Sequence, residues 1–100
     1  MKNIEVLKKY LSSGEYDELI SILTYLKLSG TNYSIHSDKM CYQLFIDDSI
    51  NVEFSKNKIL ILHMKKSFLN GNISYVNKDC PQDKTKSIAI LKRLVVKIFK

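Results

Sequence analysis

The spacing of apolar residues changes along the chain, and this change constrains the fold more than any other feature of the sequence. Through Gly30 the apolar residues recur every three or four positions, as on one face of a helix. From Thr31 to about Val76 they recur at every second position, which is typical of strands. After Pro81 the helical spacing returns. The sequence therefore predicts an α+β fold with helices at both ends and a sheet between them.

The N-terminal part predicts two helices that form an αα-hairpin. Asn3 is placed to cap a short first helix, which runs to about Leu11 and ends at a Ser-Ser-Gly break. Ser13 or Gly14 then caps a second helix, whose acidic residues lie in the first turn, where the helix dipole favours negative charge. Gly30 occupies the position at which glycine commonly ends a helix.

The central part predicts a mainly antiparallel sheet of four or five strands. The weakest strand candidate is Tyr33–His36, without which the sheet has four strands. The other four segments alternate apolar and polar residues more regularly: Met40–Asp47, Ile50–Ser55, Lys58–Met64 and Ile73–Val76.

A two-residue loop at Lys56-Asn57 predicts how two of these strands pair. The cross-strand pairs that follow are Phe54–Ile59, Val52–Ile61 and Ile50–His63. The apolar members of these pairs share one face, which we expect to be the core. The opposite face carries what we call the apolar stripe: Leu60, Leu62 and Met64. Because open sheet faces rarely present such a stripe, either a terminal helix covers it or it binds a partner, including a second copy of the chain.

The last segment, 81–100, predicts an amphipathic basic helix that begins at Pro81 or Asp83. Its apolar residues between Ile88 and Phe99 lie on one side, which we expect to pack on the sheet. The other side carries what we call the basic stripe: Lys86, Arg93, Lys97 and Lys100. Lys65 and Lys66 are two further candidate partner-binding cations. The sequence thus places a cationic surface next to a packing surface.

The positive charge of the chain is concentrated in its second half. Residues 1–55 hold five Lys and eight acidic residues, a net charge of −3, whereas residues 56–100 hold eleven basic and two acidic residues, a net charge of +9. Such polarity is typical of a protein with an electrostatic partner. All but one of the basic residues are Lys, which attracts phosphate without the bidentate geometry of Arg. Any nucleic-acid contact is therefore expected to involve the backbone rather than the bases.

No motif in the sequence predicts catalysis, a metal site or a cofactor. The two His and two Cys lack the spacings of zinc ligands. Asp47, Asp48 and Glu53 form a carboxylate cluster followed by Lys56, which has the composition of a nuclease metal site. Glu53 and Lys56 are three residues apart, however, so on a strand they point to opposite faces. We therefore expect a protein that is not an enzyme.

The remaining features favour a single domain, 1–100, in the cytoplasm. Of its 100 residues, 45% are hydrophobic, which suffices for one core. The N-terminus lacks the apolar region of a signal peptide, and the longest uncharged apolar run, Ile59–Met64, is too short to span a membrane. Two cysteines do not make a disulfide framework.

Two functions fit these patterns. The favoured one is a non-catalytic protein-interaction module, a small inhibitor, immunity or accessory protein that binds and blocks a partner with an acidic surface. The alternative is a nonspecific nucleic-acid-binding protein that uses the Lys-rich C-terminal half. Its expected contacts are Lys84, Lys86, Lys92, Arg93, Lys97 and Lys100, with Lys65 and Lys66.

Overall fold

The computed structural model describes residues 4–37, 40–66, 73–79 and 83–99, with the side chains of 64–66 and 73–79 left out of the description. In chain order it contains a 3₁₀ helix (Ile4–Lys9), helix α1 (Ser13–Leu28), five strands and helix α2 (Lys84–Ile98). The strands are β1 (Tyr33–Ser37), β2 (Tyr42–Ile46), β3 (Ile50–Phe54), β4 (Ile59–Lys66) and β5 (Ile73–Asp79). The α+β fold predicted from the apolar spacing is confirmed.

Helix α1 begins and ends at local sequence signals. The Ser12 hydroxyl accepts a hydrogen bond from the Glu15 amide at 3.2 Å, and the Glu15 carboxylate accepts one from the Ser12 amide at 2.8 Å. This reciprocal capping box sets the N-terminus of the helix at Ser12, one residue before the predicted cap. At the other end Gly30 has a positive φ of 76°, and the Thr31 amide donates to the Leu26 carbonyl. The helix therefore ends at the predicted glycine, in a Schellman motif.

The first helix of the predicted hairpin is a 3₁₀ helix rather than an α-helix. Ser12 has an extended backbone, with φ −68° and ψ 166°, because it caps α1. The preceding segment must therefore end before Ser12, and six residues are too few for a stable α-helix. Leu7 and Leu11 are nevertheless buried against the rest of the core, as their helical spacing predicted.

The sheet is an antiparallel meander in which each strand pairs with its neighbour in sequence, in the order β1-β2-β3-β4-β5. The weak strand candidate at Tyr33 is a strand. The sheet therefore has five strands, the larger of the two numbers predicted. The predicted register of β3 and β4 is confirmed, with Phe54 opposite Ile59 and Val52 opposite Ile61. Between β2 and β3 the chain turns at Asp47, whose φ of 51° lies in the left-handed region.

The described helices pack on one face of the sheet. The core cluster combines leucines of the 3₁₀ helix and α1, alternate residues of β1 to β4, and three residues of α2: Ile88, Leu91 and Val95. The predicted core face of β3 and β4 belongs to this cluster, and its members are buried. Burying alternate residues of each strand against amphipathic helices removes apolar surface from water, the main term that stabilises such a layered fold.

Candidate interaction surface

Helix α2 carries the basic stripe, and hydrogen bonds at its N-terminus and on its buried side fix its position. Asp83 is the N-cap, and its carboxylate accepts a hydrogen bond from the Thr85 amide at 2.9 Å. Of the two helix starts that the sequence left open, the structure has Asp83, and Pro81 lies outside the described residues. Ser87 is buried, and its hydroxyl donates to the Ile59 carbonyl of β4 at 3.4 Å. The buried side of α2 thus faces the sheet, as predicted, and the basic side faces solvent.

Three members of the basic stripe are exposed together on the outer side of α2: Lys86, Arg93 and Lys97. The fourth, Lys100, lies outside the described residues. Lys65 and Lys66 lie on β4, opposite Ser74 and Ile73, and only their backbone is described. In the described part of the chain, the one ion pair joins Lys92 to Glu18, so no carboxylate within it pairs with the three exposed cations.

Two other cations counted for the nucleic-acid alternative are engaged within the fold. The Lys84 ammonium donates hydrogen bonds to the carbonyls of Tyr10 and, at 2.9 Å, Lys56. Burial lowers the pKa of Lys84, and the nearby Glu15 carboxylate raises it in part. Lys92 lies 3.7 Å from the Glu18 carboxylate. Lys84 therefore joins α2 to two other segments, whereas Lys92 has an exposed carboxylate counter-ion on α1.

The apolar stripe lies on the face of the sheet away from the described helices. Leu62 is buried, with 6% of its surface exposed, and Leu60 is half-buried. Met64 belongs to β4, but its side chain is outside the description. The sequence left open whether a terminal helix covers this stripe or a partner binds it, and the described helices pack on the other face. Leu62 lies opposite Asn51 on β3, and both residues are buried.

Polar and aromatic residues accompany the apolar stripe on this face. The His36 and Phe45 rings meet edge to face with centroids 5.3 Å apart, and Gln43 donates to Glu53 at 3.4 Å. Asn51 is buried, and its Oδ1 has no hydrogen-bond partner in the described structure. A buried carbonyl oxygen without a donor is unusual in a folded protein. This face is therefore mixed in character rather than a continuous apolar surface.

Helices α1 and α2 run side by side in the same direction. Glu15 accepts a hydrogen bond from Thr85 at 3.3 Å near their N-termini, and the Tyr25 hydroxyl donates to the Phe99 carbonyl at 2.9 Å near their C-termini. The Lys92–Glu18 ion pair lies between these contacts. The same ends of both helices therefore meet, and we call the outer surface between them the α1–α2 groove.

Two hollows mark this α1–α2 groove. The larger has a volume of about 620 Å³, and its lining includes Gly14, Glu18, Ile88, Ala89, Lys92 and Arg93. The smaller has a volume of about 220 Å³, and its lining includes Ile22, Tyr25, Lys92 and Val96. Lys92 lines both, so the hollows adjoin. The sequence showed the two helices but not this groove, because their alignment depends on contacts between residues about 70 positions apart.

The described residues contain no cluster of three His, Cys, Asp or Glu side chains that could hold a metal ion. Within the described ranges, neither helix has both the length and the apolar character needed to cross a lipid bilayer. Comparison with known proteins found no matching family model, no matching curated protein and no matching solved structure. The geometry of the surfaces is therefore the basis for a functional proposal.

Proposed function

We propose that this protein is a non-catalytic interaction module that binds an acidic protein partner through the outer surface of α2. In this role it acts as a small inhibitor, immunity or accessory protein. The observation that carries the proposal is the exposure of Lys86, Arg93 and Lys97 on one side of α2, with no carboxylate partner among the described residues. Complementary charge on a partner steers encounter and favours the correct register.

This arrangement of cations is only partly explained by the stability of α2, where the helix dipole favours Lys97 in the last turn. Arg93 and Lys97 are four positions apart on the helix, a spacing at which like charges repel by about 0.2–0.5 kcal/mol. An acidic partner would convert this repulsion into attraction. The cost to the free protein and its relief on binding both support a role in recognition.

A protein partner fits the surface better than a nucleic acid does. Val96, which is 43% exposed, and the exposed Ala89 lie among the cations on the outer side of α2. Apolar side chains surrounded by charged ones resemble the core and rim of protein interfaces.

Nucleic-acid binding remains the alternative proposal, since the same three cations also attract phosphates. Only Lys86, Arg93 and Lys97 are unpaired among the described cations of α2, because Lys84 and Lys92 are engaged within the fold. Few phosphate contacts give weak affinity and a shallow dependence on salt. The alternative is therefore separated from the favoured proposal by measuring both kinds of partner under the same conditions.

The sheet face that carries the apolar stripe, away from the described helices, is a weaker candidate for a partner or a homodimer. Leu62 exposes only 6% of its surface, and Leu60 and Phe45 are half-buried, so these residues offer little apolar area for a partner to bury. Light scattering of the purified protein tests the homodimer directly. For the cellular setting we propose the cytoplasm, which the two-cysteine composition supports.

The test of the proposed function is a comparison of two triple variants with equal charge. In one, the stripe variant, Lys86, Arg93 and Lys97 are each replaced by Gln. In the other, the matched control, the exposed Lys27, Lys56 and Lys58 are replaced by Gln. Each variant has a net charge of +3, from the +6 of the natural chain. Differences between them therefore report the position of the charge rather than its amount.

Each protein is immobilised and exposed to a nuclease-treated lysate, and bound proteins are quantified. We expect a stoichiometric protein partner that binds the natural chain and the control but is lost with the stripe variant. A partner retained by the stripe variant would contradict the proposed surface. If an oligonucleotide of about 16 nucleotides binds at about 50 mM salt and no protein is retained, the nucleic-acid alternative replaces the proposal.

A further inference from the structure

The α1–α2 groove has the dimensions of a helix-binding site. It follows the length of α2, whose 15 residues correspond to roughly 22 Å at about 1.5 Å per residue. Hollows of about 620 and 220 Å³ adjoin along it. An amphipathic helix that binds in a groove presents residues at positions i, i+3 or i+4, and i+7 as successive anchors. Two adjoining hollows along one axis suit such a series.

The floor and walls of the groove are mainly apolar and open. Ile22, Ile88 and Val95 are buried at its floor, where they also belong to the core. Small residues line the walls, with Gly14 on α1 and the exposed Ala89 on α2. A partner helix can therefore approach the backbone of α1 at Gly14 and of α2 at Ala89 closely.

The charges around the groove specify an acidic occupant. Lys92 and Arg93 line it, and Lys86 and Lys97 lie on the same outer side of α2. The carboxylates of α1 that reach the groove are engaged, since Glu15 caps α1 and receives a hydrogen bond from Thr85, and Glu18 pairs with Lys92. Among the charged residues of the lining, Arg93 alone has no partner within the described part of the chain, and the exposed Lys86 and Lys97 lie on the same side of α2. A helix with acidic flanks is complementary to these three cations.

We propose that the α1–α2 groove binds an amphipathic α-helix of a partner protein, with apolar residues directed to the exposed Ala89 and Val96 and Glu or Asp residues directed to the cations of α2. This inference rests on the proposed function and identifies the kind of partner segment that the surface recognises. A stretch of about four helical turns, roughly 15 residues, fills the groove.

The Lys92–Glu18 pair bridges the groove between its two hollows. Both side chains are 56% exposed and their charged atoms are 3.7 Å apart, so the pair contributes little to stability. An acidic residue of the partner can replace Glu18 as the counter-ion of Lys92 without leaving a buried charge unpaired. The pair therefore keeps the free groove electrostatically balanced and is readily exchanged when the partner helix binds.

A display library tests the chemistry of the occupant. Peptides of about 16 randomised residues are selected on the full chain, and the selected sequences are synthesised and measured by fluorescence anisotropy. We expect a consensus with apolar residues at i, i+3 or i+4 and i+7, flanked by Glu or Asp. Selection of basic or extended peptides, or of none that bind below about 1 mM, overturns the inference.

Two single substitutions locate the site. Val96→Glu places a negative charge in the smaller hollow and is expected to weaken peptide binding at least about tenfold. Leu28→Glu is the matched control, since Leu28 is 84% exposed at the end of α1 and is not part of the groove lining. The Leu28→Glu variant is expected to bind the peptide with the same affinity as the natural chain. Circular dichroism of both variants verifies that they are folded.

The outcomes separate this inference from the proposed function. Peptide binding that is equal in the natural chain and Val96→Glu, or amide chemical shifts that change at Phe45 and Leu62, overturns the groove as the site. The proposed function then stands on the lysate comparison alone. Loss of the lysate partner from both triple variants, together with oligonucleotide binding and no peptide binding, overturns both.

Discussion

Lys84 contacts Tyr10 although 74 positions separate them in sequence: its ammonium donates a hydrogen bond to the Tyr10 carbonyl and lies 5.8 Å from the centroid of the Tyr10 ring. The same ammonium donates to the Lys56 carbonyl at 2.9 Å. One side chain in the first turn of α2 therefore connects the segment after the 3₁₀ helix to the loop between β3 and β4. These contacts hold α2 in the orientation that exposes the basic stripe.

Replacing Lys84 with Met should lower stability. The substitution keeps most of the aliphatic stem but removes two charge-assisted hydrogen bonds and a cation–π contact. Because the site is partly open to water, we expect a loss of about 1–2 kcal/mol in the free energy of unfolding. Urea denaturation measures it. Lys86→Met is the matched control at an exposed position two residues on, and it should change stability by less than about 0.5 kcal/mol. Equal losses in the two variants would contradict the role assigned to Lys84.

The pKa of Lys84 should be below that of an exposed lysine of the same protein. Burial lowers the pKa of Lys84 from 10.5, and the Glu15 carboxylate opposes this effect. Between the lowered folded pKa and 10.5 the unfolded chain binds more protons than the folded chain. The contribution of Lys84 to stability therefore rises with pH across that window. The difference in unfolding free energy between the natural chain and Lys84→Met, measured as the pH is raised through this window, isolates this contribution.

Glu15→Gln tests the cause of the shift. Gln retains an oxygen that accepts the Ser12 amide, so the capping box is preserved while the charge is removed. The pKa of Lys84, followed by NMR at its side chain, should then decrease further, because the attraction that raises it is lost. An increase or no change in this pKa would show that Glu15 does not act on Lys84.

Local signals were sufficient to predict much of the fold. The Lys56-Asn57 loop joins two strands directly, so its length sets their register, and Gly30 ends α1 because its positive φ suits glycine. The α1–α2 groove could not be predicted in this way. It depends on the contact of Glu15 with Thr85, and no local spacing determines how two distant helices align. For the same reason Lys84 was predicted as an exposed cation, since its carbonyl partners are remote in sequence.

Ser12→Ala should destabilise α1. The Ser12 hydroxyl accepts the Glu15 amide, one of the helix N–H groups that have no partner within the helix. Its loss is expected to cost about 1 kcal/mol. Ser13→Ala is the matched control, since Ser13 is the exposed first residue of the helix and Ala favours helix formation. Thermal unfolding of the two variants should therefore show a lower midpoint for Ser12→Ala only, and equal midpoints would be inconsistent with the capping box.

Replacing Asn51 with Val should stabilise the protein. Asn51 is buried in β3 between Phe45 and Leu62 on the adjacent strands, and its Oδ1 has no hydrogen-bond partner among the described residues. Removing an unsatisfied buried carbonyl and adding an apolar side chain suited to a strand is expected to raise the unfolding free energy by about 1 kcal/mol. Denaturant titration measures the gain.

Glu53→Val provides the comparison for Asn51→Val. Glu53 lies on the same strand and face, but its carboxylate accepts a hydrogen bond from Gln43 at 3.4 Å. The substitution removes a partner from Gln43, so we expect no comparable gain. A loss of stability in Asn51→Val would mean that the Asn51 amide forms interactions important for the sheet, and the unsatisfied oxygen would not be a source of instability.

The stripe variant should separate recognition from folding. Lys86, Arg93 and Lys97 are exposed and form no ion pair within the described structure, so each Gln substitution is expected to change stability by less than about 0.5 kcal/mol. Loss of the repulsion between Arg93 and Lys97 offsets part of any cost. Thermal unfolding should therefore give nearly the same midpoint for the natural chain, the stripe variant and the Lys27, Lys56 and Lys58 control.

Retention on a cation exchanger should decrease more for the stripe variant than for the control, because clustered charges bind a charged surface together. Equal retention of the two variants would show that the three cations of α2 do not act as one surface.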